Sequence, residues 1–446
     1  MNNISGYPYF EVQFTKEGAV FDKQAVDLLL TGMSQKPVTD LLVISHGWNN
    51  DMNDARVLYK NFVPLLAKQQ SALGLSNRSF AVLGVLWPSK KFAEKELIAG
   101  GGAASLSGTG QPEELQVLLD QLENLSDSFD DDGANNTLQK AKIAAKNIQR
   151  SSNAQHEFVQ QMNALMTDSV QKNAVEADED DIPSLGDVNA KELLMKLEDH
   201  WDTEMPSDGG GAASMNVTHR FSEEGGAAGM DFSFDGIISG ARNLLNGVTY
   251  YQMKERAGKV GSLGLHPVLK QIRGRFPQIK LHLIGHSFGG RLVTAAVAGP
   301  DGPSTLTVDT LILLQAAFSH YAFAKNYEGT TNGFFRRVVS EGKVLGPILV
   351  SYTRNDQAVG LAYAIASRIA KQVGSGLGDK EDFYGGMGGN GAQITPEANN
   401  DFALNGTTMY TFNKGVLYNL KSDTVISSHS DICKAEVARA VLSAIA

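Results

Sequence analysis

The sequence predicts an α/β fold built on a mainly parallel sheet, and three observations carry that prediction. Short continuous apolar runs recur along the chain, the pattern of strands buried on both faces. Stretches of helical spacing separate them, so strands and helices alternate. Reactive groups stand where the runs end, which is where open α/β sheets keep their sites.

The elements follow in order. Residues 9–14 read as an opening strand, and residues 41–45 as a buried one that runs into His46-Gly47-Trp48-Asn49-Asn50. A helical pattern through Ala55, Leu58, Phe62, Leu65 and Leu66 leads to a strand at 80–87, closed by Pro88. From about Ser89 to Asp235 the chain turns rich in Gly, Ala, Ser, Asn, Asp and Gln, punctuated by Gly100-Gly101-Gly102 and Gly209-Gly210-Gly211. Helical patches are expected near 138–166 and around Leu193, Leu194, Leu197 and Trp201. Large apolar residues are sparse there, so the stretch reads as an insertion without a strong core of its own. The expected division is a core of 1–88 and 236–446, with 89–235 inserted as a lid or cap.

Helices are expected at 236–254 and 267–275, then a strand at 279–284 that enters Gly285-His286-Ser287-Phe288-Gly289. A helix follows from Arg291. Strands at 308–314 and 347–352, a helix at 358–373, a Gly-rich loop to about Gly406 and a last strand at 408–412 complete the sheet. His429 lies on the loop beyond, and 434–446 reads as a closing helix. No internal repeat is visible.

Composition excludes several functions. The net charge of -10 opposes a nucleic-acid footprint, which needs a basic stripe. Acidic runs at 127–132 and 176–181 read as solvated loops, since neither has the spacing of a calcium-binding EF-hand. One cysteine, Cys433, cannot form an intrachain disulfide or a thiolate metal site. His156-Glu157 opens like a zinc-binding H-E-x-x-H, but Gln160 stands where the second histidine belongs. His282 and His286 are four apart, a spacing that aligns ligands only on a helix, so His282 is expected to pack within the sheet. The Gly-rich stretch near 374–391 lacks the G-K-[ST] ending of a phosphate-binding loop. No metal and no cofactor is expected. Nor is any apolar run long enough to span a bilayer, and no signal-peptide pattern opens the chain, so a cytoplasmic location is expected, with signal-independent secretion left open.

G-x-S-x-G is a weak signal alone, because a chain with 46 glycines in 446 residues yields it by chance roughly 0.3 times. Its context is what makes it informative: strand before, helix after, and then Asp356 and His429 downstream. The chain order Ser, Asp, His is that of the α/β-hydrolases. The chain resembles that superfamily, and more narrowly a bacterial group with an H-G-[YW]-N-N turn, a W-P-S strand end and an H-S-x-G elbow. Here these are residues 46–50, Trp87-Pro88-Ser89 and 286–289. The resemblance covers roughly 40–90 and 235–446.

The resemblance implies a nucleophile at Ser287, a general base at His429 and an orienting acid at Asp356. It also implies oxyanion donors at the backbone N–H groups of Phe288 and Trp48. His46, Gly47, Gly285, His286 and Gly289 would support the geometry. Asp309 and Asp423 rival the acid; His320 and His266 rival the base. The expected activity is cleavage of a small-molecule or lipid carboxylic ester through an acyl-enzyme. Two alternatives stay open: an amidase, peptidase or thioesterase with the same triad, and an interaction or secreted effector module whose insertion contacts a partner or a membrane surface.

Overall fold

A computed structural model describes residues 2–89, 113–125, 132–171, 189–198, 235–300, 302, 304–327, 329–356, 358–359, 385–405 and 409–446. Its contacts divide the chain into two units: Met1–Lys91, Leu165–Leu185 and Gly247–Ala446 in one, Phe92–Ala164 and Gly186–Asn246 in the other.

The first unit is built on a nine-stranded sheet of order β1-β2-β4-β3-β5-β6-β7-β9-β8. Its strands are β1 (Asn2–Ile4), β2 (Tyr7–Gln13), β3 (Asp40–Ser45), β4 (Phe80–Leu86), β5 (Lys280–His286), β6 (Thr310–Leu314), β7 (Ile348–Tyr352), β8 (Ala398–Ala403) and β9 (Leu417–Lys421). Only the β1–β2 pair is antiparallel. Every residue of β3, β4, β6 and β7 is buried, which is why these strands read as unbroken apolar runs rather than as alternating ones.

Register sets the strand ends level. Ser45 lies opposite both Val85 and Gly285, and His286 opposite Leu314, which in turn faces Ser351. From β3 the chain moves outward to β4, then returns to β5 on β3's other side. That reversal opens a crevice outside the carboxyl ends of β3 and β5. Both sequence motifs end there.

Helices cover the sheet. After α1 (Lys23–Gln35), which packs on β2, comes α2 (Met52–Gln70), joining β3 to β4. Asp51 caps α2 by accepting from the N–H groups of Asn53 (2.7 Å) and Asp54 (2.8 Å), while the Asp54 carboxylate accepts from the Asp51 N–H.

The second unit is helical among its described residues: α3 (Glu113–Leu125), α4 (Asp132–Ala145), most of α5 (Ser152–Gln171), α6 (Ala190–Glu198) and the start of α7 (Asp235–Lys259). The expectation that this stretch lacks a core is corrected. Leu115, Leu118, Leu122, Leu138, Phe158, Met162, Leu194 and Leu244 are all buried. Small residues made it look weak, yet Ala134, Ala141 and Ala145 are buried too and let helices approach closely. α3 packs on α4, where Lys142 pairs with Glu123, and Asn243 donates to the Leu197 carbonyl (2.6 Å).

Elsewhere too expectation and structure part, beginning with β1 and α1, which the sequence reading did not anticipate. The helices expected at 236–254 and 267–275 are one continuous path, since α7 runs through a π-helical turn (Val260–Leu265) into α8 (His266–Arg275). Residues 409–412 are not a strand; two unforeseen strands, β8 and β9, flank them. The expected helix at 358–373 lies, apart from Ala358 and Val359, outside the described residues, as do the acidic runs except Asp132. After β5 come α9 (Phe288–Ala298), then the short α10 (Arg336–Ser340) and α11 (Met387–Asn390), and finally α12 (Ala435–Ile445), which packs on α2. No described helix is long and apolar enough to cross a membrane.

Candidate active site

The elbow is built by close approach. A Cβ on Gly285 would collide with the Gly289 carbonyl, and one on Gly289 with the carbonyls of Ser45 and His46. Glycine at both positions lets α9 start directly against the end of β3. Ser287 takes the strain of the reversal, with φ 56° and ψ -127°, a region that L-residues rarely occupy. Its N–H donates to Leu314 (3.1 Å), and its carbonyl accepts from Gly290 (2.9 Å) and Ala317 (3.1 Å). The strained residue is thus held from both sides.

The turn after β3 faces it. A Cβ on Gly47 would stand 2.6 Å from the Ser287 Cβ and 3.2 Å from its Oγ, so the bare backbone of Gly47 lies against the hydroxyl. Among the described residues no acceptor engages the N–H of Trp48 or that of Phe288, the first residue of α9. Both are free to receive an anion, and the helix start favours negative charge there.

His46 shapes this turn and is no base. It is fully buried, and burial brings its imidazole down to about 4. The ring accepts the Trp87 N–H at Nε2 (3.3 Å), which leaves Nδ1 protonated to donate to the Gly47 carbonyl (2.9 Å). The Trp87 indole stacks on it and donates to its carbonyl (3.0 Å). Ser89 completes the lock: its Oγ donates to the Asn50 carbonyl (2.8 Å), and its own carbonyl accepts from Asn49 (2.8 Å). The two upstream motifs are one interlocked structure.

His429 and Asp356 meet. The His429 Nδ1 lies 2.9 Å from the Asp356 Oδ2, with the carboxyl side chain buried and the imidazole nearly so. Asp356 also accepts from the Val359 N–H at Oδ1 (3.0 Å) and from the Gln315 amide at Oδ2 (3.2 Å). His286, next to the serine, donates from Nε2 to the His429 carbonyl (3.0 Å), and the two rings lie 4.9 Å apart. The loop carrying His429 is thereby tied to the residue beside Ser287. Asn355 fastens the same loop to the end of β7 by donating to Asp423 (3.0 Å) and Ile426 (2.8 Å).

The rivals are occupied elsewhere. Asp309 sits at the amino end of β6, accepting from Leu281 and Arg273. Asp423 accepts from the Arg354 N–H, and this bond and its lysine neighbour outweigh the burial that would raise its carboxyl. His266 lies between the Ala296 carbonyl (2.7 Å) and the Ser304 hydroxyl (3.1 Å). His320 is fully buried beside Asn390 and against Gly385. His156 is bonded to Gln160 (2.9 Å), and among the described residues no cluster of three or more His, Cys, Asp or Glu is placed to hold a metal.

Family models, curated proteins and solved structures offer no match to this chain. The site therefore rests on its own geometry.

Two groups escaped the sequence reading. Gln315, fully buried with φ 48°, donates to Asp356 and belongs to no motif. Tyr250, on α7, brings its ring to 4.9 Å from Phe288 and 5.9 Å from Trp48, so both unengaged N–H groups border one aromatic wall. Only the positive φ at the end of β6 marks Gln315, and that is invisible in sequence.

Proposed function

We propose that the protein is a serine hydrolase of the α/β-hydrolase type that cleaves a carboxylic ester through an acyl-enzyme on Ser287. The observation that carries this reading is the 2.9 Å His429–Asp356 bond, tied through His286 to a serine held at positive φ.

On this reading the steps are those of acyl transfer to a serine. Nδ1–H of His429 donates to Asp356, which leaves the Nε2 lone pair as the base. Nε2 takes the Ser287 hydroxyl proton as Oγ attacks the ester carbonyl carbon. The C–O π electrons move onto oxygen, and that oxyanion accepts from the N–H groups of Trp48 and Phe288, each worth about 3–4 kcal/mol in the transition state. Collapse of the intermediate breaks the bond to the leaving alkoxide, which takes the proton from Nε2. Water then repeats the sequence on the acyl-enzyme, releasing acid and restoring the serine. The wall formed by Trp48, Phe288 and Tyr250 favours an apolar group on the substrate.

Fluorophosphonate labelling with mass mapping tests the reading. An adduct on Ser287, absent in His429→Ala, is the expected result; a wild-type protein that neither labels at Ser287 nor turns over p-nitrophenyl esters would overturn it.

A further inference from the structure

We infer that Gln315 is the positioning residue of the acid, clamping the Asp356 carboxylate oxygen that receives the His429 imidazole. The inference rests on the hydrolase reading for its kinetic consequence, but its geometric content stands apart from any activity.

The amide is oriented by its neighbours. Its Oε1 accepts the Ser351 hydroxyl proton (2.8 Å), and the same Ser351 Oγ accepts the Gln315 backbone N–H (3.2 Å). Its Nε2 faces two acceptors, Asp356 Oδ2 and the Gly388 carbonyl, each at 3.2 Å. A flipped amide would set its carbonyl oxygen against both, so only one orientation satisfies the network. All three partner residues are buried, as is Gln315 itself, so water does not compete for these hydrogen bonds.

The backbone serves this placement. Gln315 follows β6 directly and adopts φ 48°, a conformation that costs energy for any residue but glycine. Glycine would relieve it and lose the amide. Opposite, Gly388 leaves the space the carboxylate fills: a Cβ there would stand 3.0 Å from Asp356 Oδ2. The Gly388 N–H donates to Ala316 and its carbonyl accepts from Thr353, so the strand ends of β6 and β7 are stitched across the acid. Glycine at 388 and strain at 315 converge on one oxygen atom. That oxygen is the one bound to His429.

Gln315→Met keeps length and volume while removing both ends of the amide. The expected result is a kcat lower by about 10- to 100-fold with KM within about twofold, since a hydrogen bond to a charged group is lost and no binding contact is. In proton spectra of the full-length protein, the low-field His429 Nδ1–H resonance, assigned by its loss in His429→Asn, moves or broadens. Ser351→Ala, which frees the far end of the amide and the Gln315 backbone N–H but leaves the bond to Asp356, gives a smaller loss of kcat, and the double variant loses no more kcat than Gln315→Met alone. Unchanged kcat, a change in KM alone, or an unmoved resonance in a variant with wild-type melting overturns the role. Should the wild type prove not to label at Ser287, the hydrolase reading fails by itself, and the resonance still decides whether Gln315 holds the pair.

Discussion

The two ends of the sheet carry the same three functional groups and put them to different uses. At the carboxyl end stand Asp356, His429 and Ser287. At the amino end Asp40, on β3, bonds His282 Nε2 (2.8 Å) on β5, whose Nδ1 meets the Thr310 hydroxyl (2.8 Å) on β6. That is also carboxylate, imidazole, hydroxyl. Yet Thr310 is a ladder residue of a regular strand, and Arg78 pairs with Asp40 and donates to the Ile445 carbonyl. Asp40, His282 and Thr310 are buried, and through Arg78 the cluster joins the starts of neighbouring strands to the end of α12. Ser287, by contrast, sits on a strained reversal beside two unengaged N–H groups. A carboxylate, an imidazole and a hydroxyl are common neighbours; on the hydrolase reading proposed above, backbone geometry is what would separate a reactive set from a structural one.

The comparison can be broken by exchange of outcomes. The largest effect belongs to the hydroxyls: Ser287→Ala should lower ester turnover by at least about 10⁴-fold with unchanged melting, while Thr310→Val keeps turnover and melts lower. A Thr310→Val protein without activity yet fully folded would sink the contrast. Next, Asp40→Asn leaves the half-buried Arg78 beside a neutral partner, at a cost of about 3 kcal/mol, or a melting point lower by about 10 °C, with turnover per folded molecule intact. Gly47→Ala sits on the other side of the contrast. Its methyl must displace a residue held from both sides, so stability should fall by about 1–3 kcal/mol while turnover per folded molecule drops at least about 100-fold.

The smallest effect is a pH slope. Burial holds His282 below its usual range, even against Asp40, so the native state refuses a proton that the unfolded chain accepts. Its share of stability is present above about pH 6.5 and is lost as the pH falls below that. Asp40 is held well below the ordinary carboxylate range, because bonds from His282, Arg78 and Thr39 override the burial that would raise it. Its contribution persists until the pH drops below about 4. Urea midpoints measured from pH 7 to 5 should therefore decline in the wild type, and His282→Gln should flatten the slope by up to about 1.4 kcal/mol per unit. Ser287→Ala should leave that slope as it is.

How much the sequence reveals differs between these regions for physical reasons. Buried parallel strands must be apolar throughout, so β3, β4, β6 and β7 announce themselves. β8 does not: Ala398–Ala403 is an edge strand of polar sequence in which no residue is fully buried, and its place is set by the partner strand β9. The alternating apolar pattern at 408–412 misleads for the opposite reason. Tyr410 and Phe412 stack at 5.4 Å to cover β9, and tyrosine hydroxyls meet nearby loop N–H groups, those of Asn405 and Asn413, in place of a strand ladder. Within the site, Ser287, His286 and the 46–50 turn are local motifs and legible. Gln315 becomes visible only when strands far apart in sequence come together.

The strain at Ser287 has a consequence for how this chain balances its own interests. The backbone at φ 56° is one that glycine adopts freely and serine resists, at a cost on the order of 1–3 kcal/mol. A sequence chosen for robustness alone would carry glycine at 287 and fold the more securely for it. The hydroxyl is kept against the preference of the very turn that displays it, and the large buried sheet around it is what makes that defiance tolerable.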